Sequence, residues 1–142
     1  MFIGSSRYKI DSRPLGGELM VRGLGVDIIE IKRIELAYQR HGKAFIARLL
    51  APEEETHWQE NGSRVESLSG AWAAKEAVAK ALGTGFRDFN LRDIIVQHDP
   101  LGKPIVLLLG GALGQAKTLM IERVLVTISH SETYTIAFAV AE

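Results

Sequence analysis

The 142 residues contain no cysteine. That removes disulfides, thiolate zinc sites and thiol nucleophiles together, and it fits a reducing cytoplasm. No apolar run approaches the length of a membrane-crossing helix, and the first residues lack the apolar centre of a secretion signal. Neither sign of charge is in excess. Lys plus Arg and Asp plus Glu count 17 each, so the overall balance gives no reason to expect a nucleic acid or a membrane as partner. There is no repeat, no low-complexity stretch, no Walker A loop, no dinucleotide fingerprint and no G-x-S-x-G elbow. What remains is 46% hydrophobic, enough for one compact domain with a core.

The first twenty residues, MFIGSSRYKIDSRPLGGELM, have no clear period and read as a flexible leader or tag-like segment, with Met20 a candidate start and the domain running over 21–142. Val21 to Ile31 is β-branched and reads as a strand. Lys32 to His41 reads as a helix ended by Gly42, and Phe45 to Leu50 as a short amphipathic turn or helix. Pro52 opens another helix, where Glu53, Glu54 and Glu55 suit the positive end. Arg64 to Leu82 is the long helix, with Leu68, Trp72, Ala79 and Leu82 near one face. Strands follow over Asp93 to Gln97 and Pro104 to Leu109 around a D-P-L-G turn. A short helix over Ala112 to Met120 precedes strands over Val124 to Ser129 and Tyr134 to Val140. Helices come early and strands late, which predicts an α+β domain, an antiparallel sheet packed on a long central helix.

Chemistry concentrates in AWAAKEAVAKALGTG, Ala71 to Gly85. Glu76 and Lys80 lie four apart and share a helix face, so one reading is a surface ion pair. The other is a metal-holding carboxylate with a cation one turn on. Lys75 points about 100° away from Glu76, toward a different partner or solvent. Gly83-Thr84-Gly85 is either a helix cap or a turn whose amides and Thr84 hydroxyl approach an anion. Asp27 sits among apolar strand residues. A buried carboxylate needs a partner, so it is either a strand-end cap or a ligand of a hard cation such as magnesium. His130, between Ser129 and Ser131, is either structural or a phosphate donor. Lys32, Arg33, Arg40, Lys43 and Arg48 make Glu30 to Arg48 locally basic, a solvated face or a surface for an acidic partner.

Three blocks in order carry a resemblance over Val21 to Glu142. They are GLGVDIIEIKRIE, AWAAKEAVAKALGTG and VTISHSETYTIAFAVAE, with LGKPIV after a turn between the last two. The chain resembles the holo-[acyl-carrier-protein] synthases, the small bacterial class of 4′-phosphopantetheinyl transferases. The resemblance implies that family's fold and its reaction. Phosphopantetheine passes from coenzyme A to a serine of an acyl carrier protein, adenosine 3′,5′-bisphosphate leaves, and the product serves fatty acid biosynthesis in the cytoplasm. It implies magnesium on Asp27 and Glu76, charge neutralisation by Lys80, and coenzyme A along Lys80, Gly83, Thr84, Gly85 and His130. Arg33, Arg40 and Arg48 would receive the carrier protein. A homotrimer with sites between subunits is implied too, with Glu76, Lys80 and His130 as catalytic residues. The serine proton would go to Glu76 or to a water on the metal. One departure stands out. Many members carry Arg before the aromatic residue of the second block, where this chain has Ala71 before Trp72, and Arg64 or Arg87 is the candidate substitute. Two rival classes remain: a carrier-protein-binding module without chemistry, and a nucleotide hydrolase.

Overall fold

The long helix has almost no polar face. Alanine, a strong helix former with a small side chain, recurs along it, so neighbours can press in from more than one side. In the computed structural model, which describes residues 20–142, this helix (α4, Val65–Ala81) lies at the centre. The leader read over residues 1–20 lies outside the described residues except for Met20. Before α4 come β1 (Gly23–Glu30), α1 (Ile31–His41), α2 (Lys43–Leu49) and α3 (Pro52–Glu60). After it come β2 (Ile94–His98), β3 (Pro104–Leu108), α5 (Gly110–Thr118), β4 (Val124–His130) and β5 (Tyr134–Ala141).

The expected antiparallel sheet is present as two sheets. One has the order β1-β5-β4, with Asp27 opposite Ala137 and Ser129 opposite Ile136; the other is the β2-β3 hairpin. β3 and β4 lie near each other without pairing. An apolar cleft of about 350 Å³ between β3 and β4 is lined by Ile105, Leu113, Ile121 and Val126.

The three-stranded sheet covers one side of α4 at very short range. Its inward positions are small: Gly23 and Gly25 on β1, Ala137, Ala139 and Ala141 on β5. A Cβ at Gly25 would fall 1.8 Å from the Ala77 carbonyl oxygen, and one at Gly23 1.9 Å from that of Ala81. Backbone therefore lies against backbone, a contact only glycine permits. The opposite side of α4 is closed by α1, α2 and β2, through Leu68, Val78 and Leu82 with Ile34, Ile46, Leu49 and Ile94. The single apolar face expected for the helix is thus one of two buried faces.

The outer face of the same sheet is also apolar, with Leu24, Val26 and Ile28 of β1 beside Tyr134, Ile136 and Phe138 of β5 and Leu125 of β4. Ile28 is 60% exposed and Phe138 42%. No helix among the described residues is long and apolar enough to cross a membrane.

Candidate functional site

Inward-facing positions on β1 run Gly23, Gly25, Asp27, Ile29. The glycines bring the strand against α4, so the next inward residue, Asp27, arrives beside the last turns of that helix. There Lys80 reaches across to β1. Its Nζ donates to the Val26 carbonyl at 2.8 Å and to Asp27 Oδ1 at 3.2 Å. The i,i+4 arrangement with Glu76 leaves Lys80 on the same side of the helix, but its ion pair within 4 Å is with Asp27.

Glu76 shares this seam. Partial burial raises its pKa above the ordinary carboxylate value, the Asp27 charge raises it further, and Lys80 works in the opposite direction. Two carboxylates with one lysine between them carry a surplus negative charge in a half-buried place. That donor set fits magnesium, which takes one or two protein carboxylates and completes its shell with water and phosphate oxygens. Among the described residues no group of three or more His, Asp or Glu is arranged to hold a metal without such help.

The Gly83-Thr84-Gly85 turn follows directly. Gly83 has φ 84° and Gly85 φ 61°, both in the left-handed region. The Gly83 amide donates to the Lys80 carbonyl and the Gly85 amide to that of Ala79. Both amides thus cap the helix rather than point outward, and the Thr84 hydroxyl donates to the Gly85 carbonyl at 3.2 Å.

His130 ends β4 at the other end of α4. Its Nε2 lies 3.2 Å from the Glu66 carbonyl and its ring rests on Gly70. Six residues of helix, about 9 Å of rise, separate Gly70 from Glu76, so one chain does not gather His130 with the carboxylates. His130 instead borders a cavity of about 480 Å³, with Arg64, His57, His98 and Ala71 on its walls. The His57 and His98 rings stack with centroids 6.1 Å apart. Burial and the His57 charge lower the His98 pKa against the pull of Asp99. Arg64 borders this cavity beside Ala71, and Arg87 does not. The Ser129 and Ser131 hydroxyls are not poised on His130: Ser131 Oγ serves the turn, bonding Tyr134 and Thr133 backbone groups.

Arg33 and Arg40 lie exposed on α1 and Arg48 exposed on α2, with no ion-pair partner among the described residues. Lys32 is tied to Glu35 at 3.2 Å.

Of the two readings of Lys75, a different partner or solvent, the first holds: it is bonded to Glu54. Sequence reasoning missed that it is wholly buried, and it missed one grouping of side chains. The grouping of three histidines with Arg64 around one cavity had no signal in their spacing at 57, 64, 98 and 130.

One carboxylate from β1 and one from α4, with a lysine paired to the first, form a donor set that would suit phosphoryl-group transfer. A family model described as the 4′-phosphopantetheinyl transferase superfamily matches residues 23–139. The chain is 43% identical to a holo-[acyl-carrier-protein] synthase of Clostridium tetani over 123 residues, 87% of this chain and 97% of that one. It is 44% identical to that of Clostridium acetobutylicum, over 87% and 98%. Among solved structures, the holo-[acyl-carrier-protein] synthase of Neisseria meningitidis superposes with a TM-score of 0.80 at 42% identity, covering 87% of this chain and 99% of that one. The Helicobacter pylori enzyme in complex with coenzyme A gives 0.74 at 29% identity, over 84% and 99%. The chain belongs to the 4′-phosphopantetheinyl transferase superfamily and has its α+β fold. It is an enzyme, a phosphopantetheinyl transferase of the holo-[acyl-carrier-protein] synthase type.

Proposed function

We propose that this enzyme transfers 4′-phosphopantetheine from coenzyme A to a serine of apo acyl carrier protein, with magnesium, releasing adenosine 3′,5′-bisphosphate. The observation that carries the reading is the meeting of Asp27, Glu76 and Lys80 at one seam. The serine oxygen forms a bond to the phosphorus that bears pantetheine, and the bridging bond to the adenylate phosphate breaks. Asp27 and Glu76 would hold magnesium, which supplies charge neutralisation on the diphosphate. Lys80, fixed by Val26 and Asp27 and half exposed, is placed to neutralise the leaving bisphosphate. The serine proton would go to Glu76 or to a water on the metal; without metal, burial and Asp27 both favour the protonated form of Glu76.

The nucleotide end of coenzyme A has a fitting receptor in the cavity of Arg64 and His130, with Gly83 to Gly85 nearer the carboxylates. Arg64 borders the space that the short Ala71 side chain leaves, which favours it over Arg87 as the phosphate contact. Within one chain that cavity, bordered by Gly70 and Ala71, lies about one and a half turns of α4 from Glu76, and the outer sheet face is apolar. Both features support a homotrimer in which one subunit's cavity adjoins its neighbour's carboxylates. The free Arg33, Arg40 and Arg48 would meet the acidic carrier protein. Its substrates put the reaction in the cytoplasm, in fatty acid biosynthesis. Residues 21–142 would form the transferase domain, with 1–20 as a leader.

Incubation with coenzyme A, magnesium and an apo carrier protein tests this. The expected result is a gain of about 340 Da on the carrier serine, the mass of the covalent group. Binding with no mass gain would favour a non-catalytic module. Bisphosphate release without carrier protein would favour a hydrolase.

A further inference from the structure

α4 is held from two sides. On one, Ala77 and Ala81 lie against the glycine backbone of β1. On the other, the fully buried Lys75 donates to the Leu49 carbonyl at 2.6 Å and to Glu54 Oε1 at 2.7 Å. Glu54 is saturated in turn: Oε1 accepts the Ala51 amide at 2.8 Å and Oε2 the Val96 amide at 3.0 Å. The carboxylate thereby joins the start of α3, β2 and α4, and Lys75 adds the end of α2.

The angles matter. At about 100° per residue, Lys75 and Ala77 project about 200° apart, with Glu76 midway between them. A helix fixed at both positions cannot roll about its axis. A roll of one residue would turn Glu76 either into the sheet or away from Asp27. Stability alone is a weak reason for a buried ion pair, since well-packed apolar replacements are often as stable. What charge-assisted hydrogen bonds add is direction, and these two, on Leu49 and Glu54, fix where the Lys75 side chain must lie.

We infer that Lys75 and Glu54 form a positioning pair that sets the rotation of α4 and so holds the Glu76 carboxylate beside Asp27 for a shared divalent cation. The inference rests on the proposed reading of Asp27 and Glu76 as the cation-holding pair.

The test is Mn²⁺ binding to the substrate-free protein, followed by electron paramagnetic resonance of the free ion, in the double variant K75M/E54Q. Removing both charges together leaves no unpaired charge buried. Circular dichroism and urea titration give the folded fraction, to which the affinity is referred. A pair that only supports folding would leave the affinity of folded molecules unmoved. A dissociation constant raised fivefold or more, within the range seen when groups behind metal ligands are removed, supports the inference; a smaller change overturns it. Should the double variant not fold, Glu54→Gln alone, which keeps an acceptor for Lys75, takes its place. A twofold or greater loss of affinity in its folded fraction supports the pair, and a smaller one overturns it. Glu76→Gln separates the two levels. If it binds Mn²⁺ as the wild type does, the carboxylate-pair reading falls and the inference with it. If it loses binding while the double variant keeps it, the positioning inference alone falls.

Discussion

Two lysines five residues apart on α4 each meet a carboxylate, and the two pairs differ in almost everything else. Lys75 and Glu54 lie 2.7 Å apart with side chains 0% and 4% exposed. Backbone groups take both Glu54 oxygens, and the Leu49 carbonyl takes Lys75 as well. Lys80 and Asp27 lie 3.2 Å apart at 52% and 17% exposed. They have Glu76 beside them, and its charge is opposed by one neighbour and favoured by the other. The inner pair is complete and has nothing left to offer a ligand. The outer one carries surplus negative charge and is open to water, which is what the proposed cation and phosphate would need. On that proposal the same chemistry serves as scaffold where it is saturated and as a site where it is not.

Removing the outer carboxylates gives the largest expected loss. Glu76→Gln and Asp27→Ala should each lower carrier-protein modification by about a hundredfold to a thousandfold, the scale of losing a group that stabilises developing charge. Circular dichroism should stay native. Normal turnover by either variant, with magnesium as the sole metal and the carrier mass gain as readout, would end the assignment.

Breaking the inner pair should instead show in stability. Lys75→Ala leaves Glu54 buried without its cation, which costs about 3–5 kcal/mol; Lys80→Ala, at a half-exposed pair, should cost about 1 kcal/mol or less. Urea midpoints measure both. Lys80→Ala should still slow transfer strongly, so the two lysines would separate into one that moves the midpoint and one that moves the rate. Equal midpoints for the two variants would erase the contrast between the two pairs.

The inner pair was also the part least legible beforehand. Every helix and strand boundary came within about three residues, because glycine, proline and β-branched residues punctuate this chain clearly. Asp27 was nameable because a carboxylate among apolar strand residues stands out on its own, whereas Glu76 was singled out by its i,i+4 spacing to Lys80 and by the family resemblance. Lys75 did not stand out: its partner is 21 residues away across two helix ends, and no local pattern marks a lysine as buried. The one available hint was that Ala73, Ala74, Ala77 and Val78 surround it, an apolar stretch of α4 with little room for solvent there. The direction of Lys80 was hidden too, since i,i+4 spacing points to Glu76 while the glycines at 23 and 25 bring β1 closer. The small inward residues that let the sheet close on the helix are confined to β1 and β5.

A smaller effect concerns the cavity at the far end of α4. Arg64→Ala should raise KM for coenzyme A about tenfold with kcat little changed, the mark of binding shared by ground and transition states. Arg87→Ala should leave KM alone. The reverse result would move the phosphate contact to the loop after the Gly83-Thr84-Gly85 turn.

The smallest expected effect is a change of sign rather than of size. In the folded protein Glu76 holds its proton more tightly than an exposed glutamate does, through burial first and Asp27 second. The folded state therefore binds more protons than the unfolded one between the ordinary carboxylate value and the raised one, and stability falls as pH rises through that window. Above it the deficit is constant. Glu76→Gln cannot ionise, so at neutral pH without metal it should melt slightly higher than wild type, on the order of 1 °C. Magnesium should reverse the order, since a cation that binds only the folded wild type stabilises it and leaves the variant unmoved. Melting curves at pH 4 and pH 7.5, with and without magnesium, read all four states. A variant that melts lower than wild type in the absence of metal would mean that the ionised Glu76 is already satisfied, and the outer pair would then be as complete as the inner one.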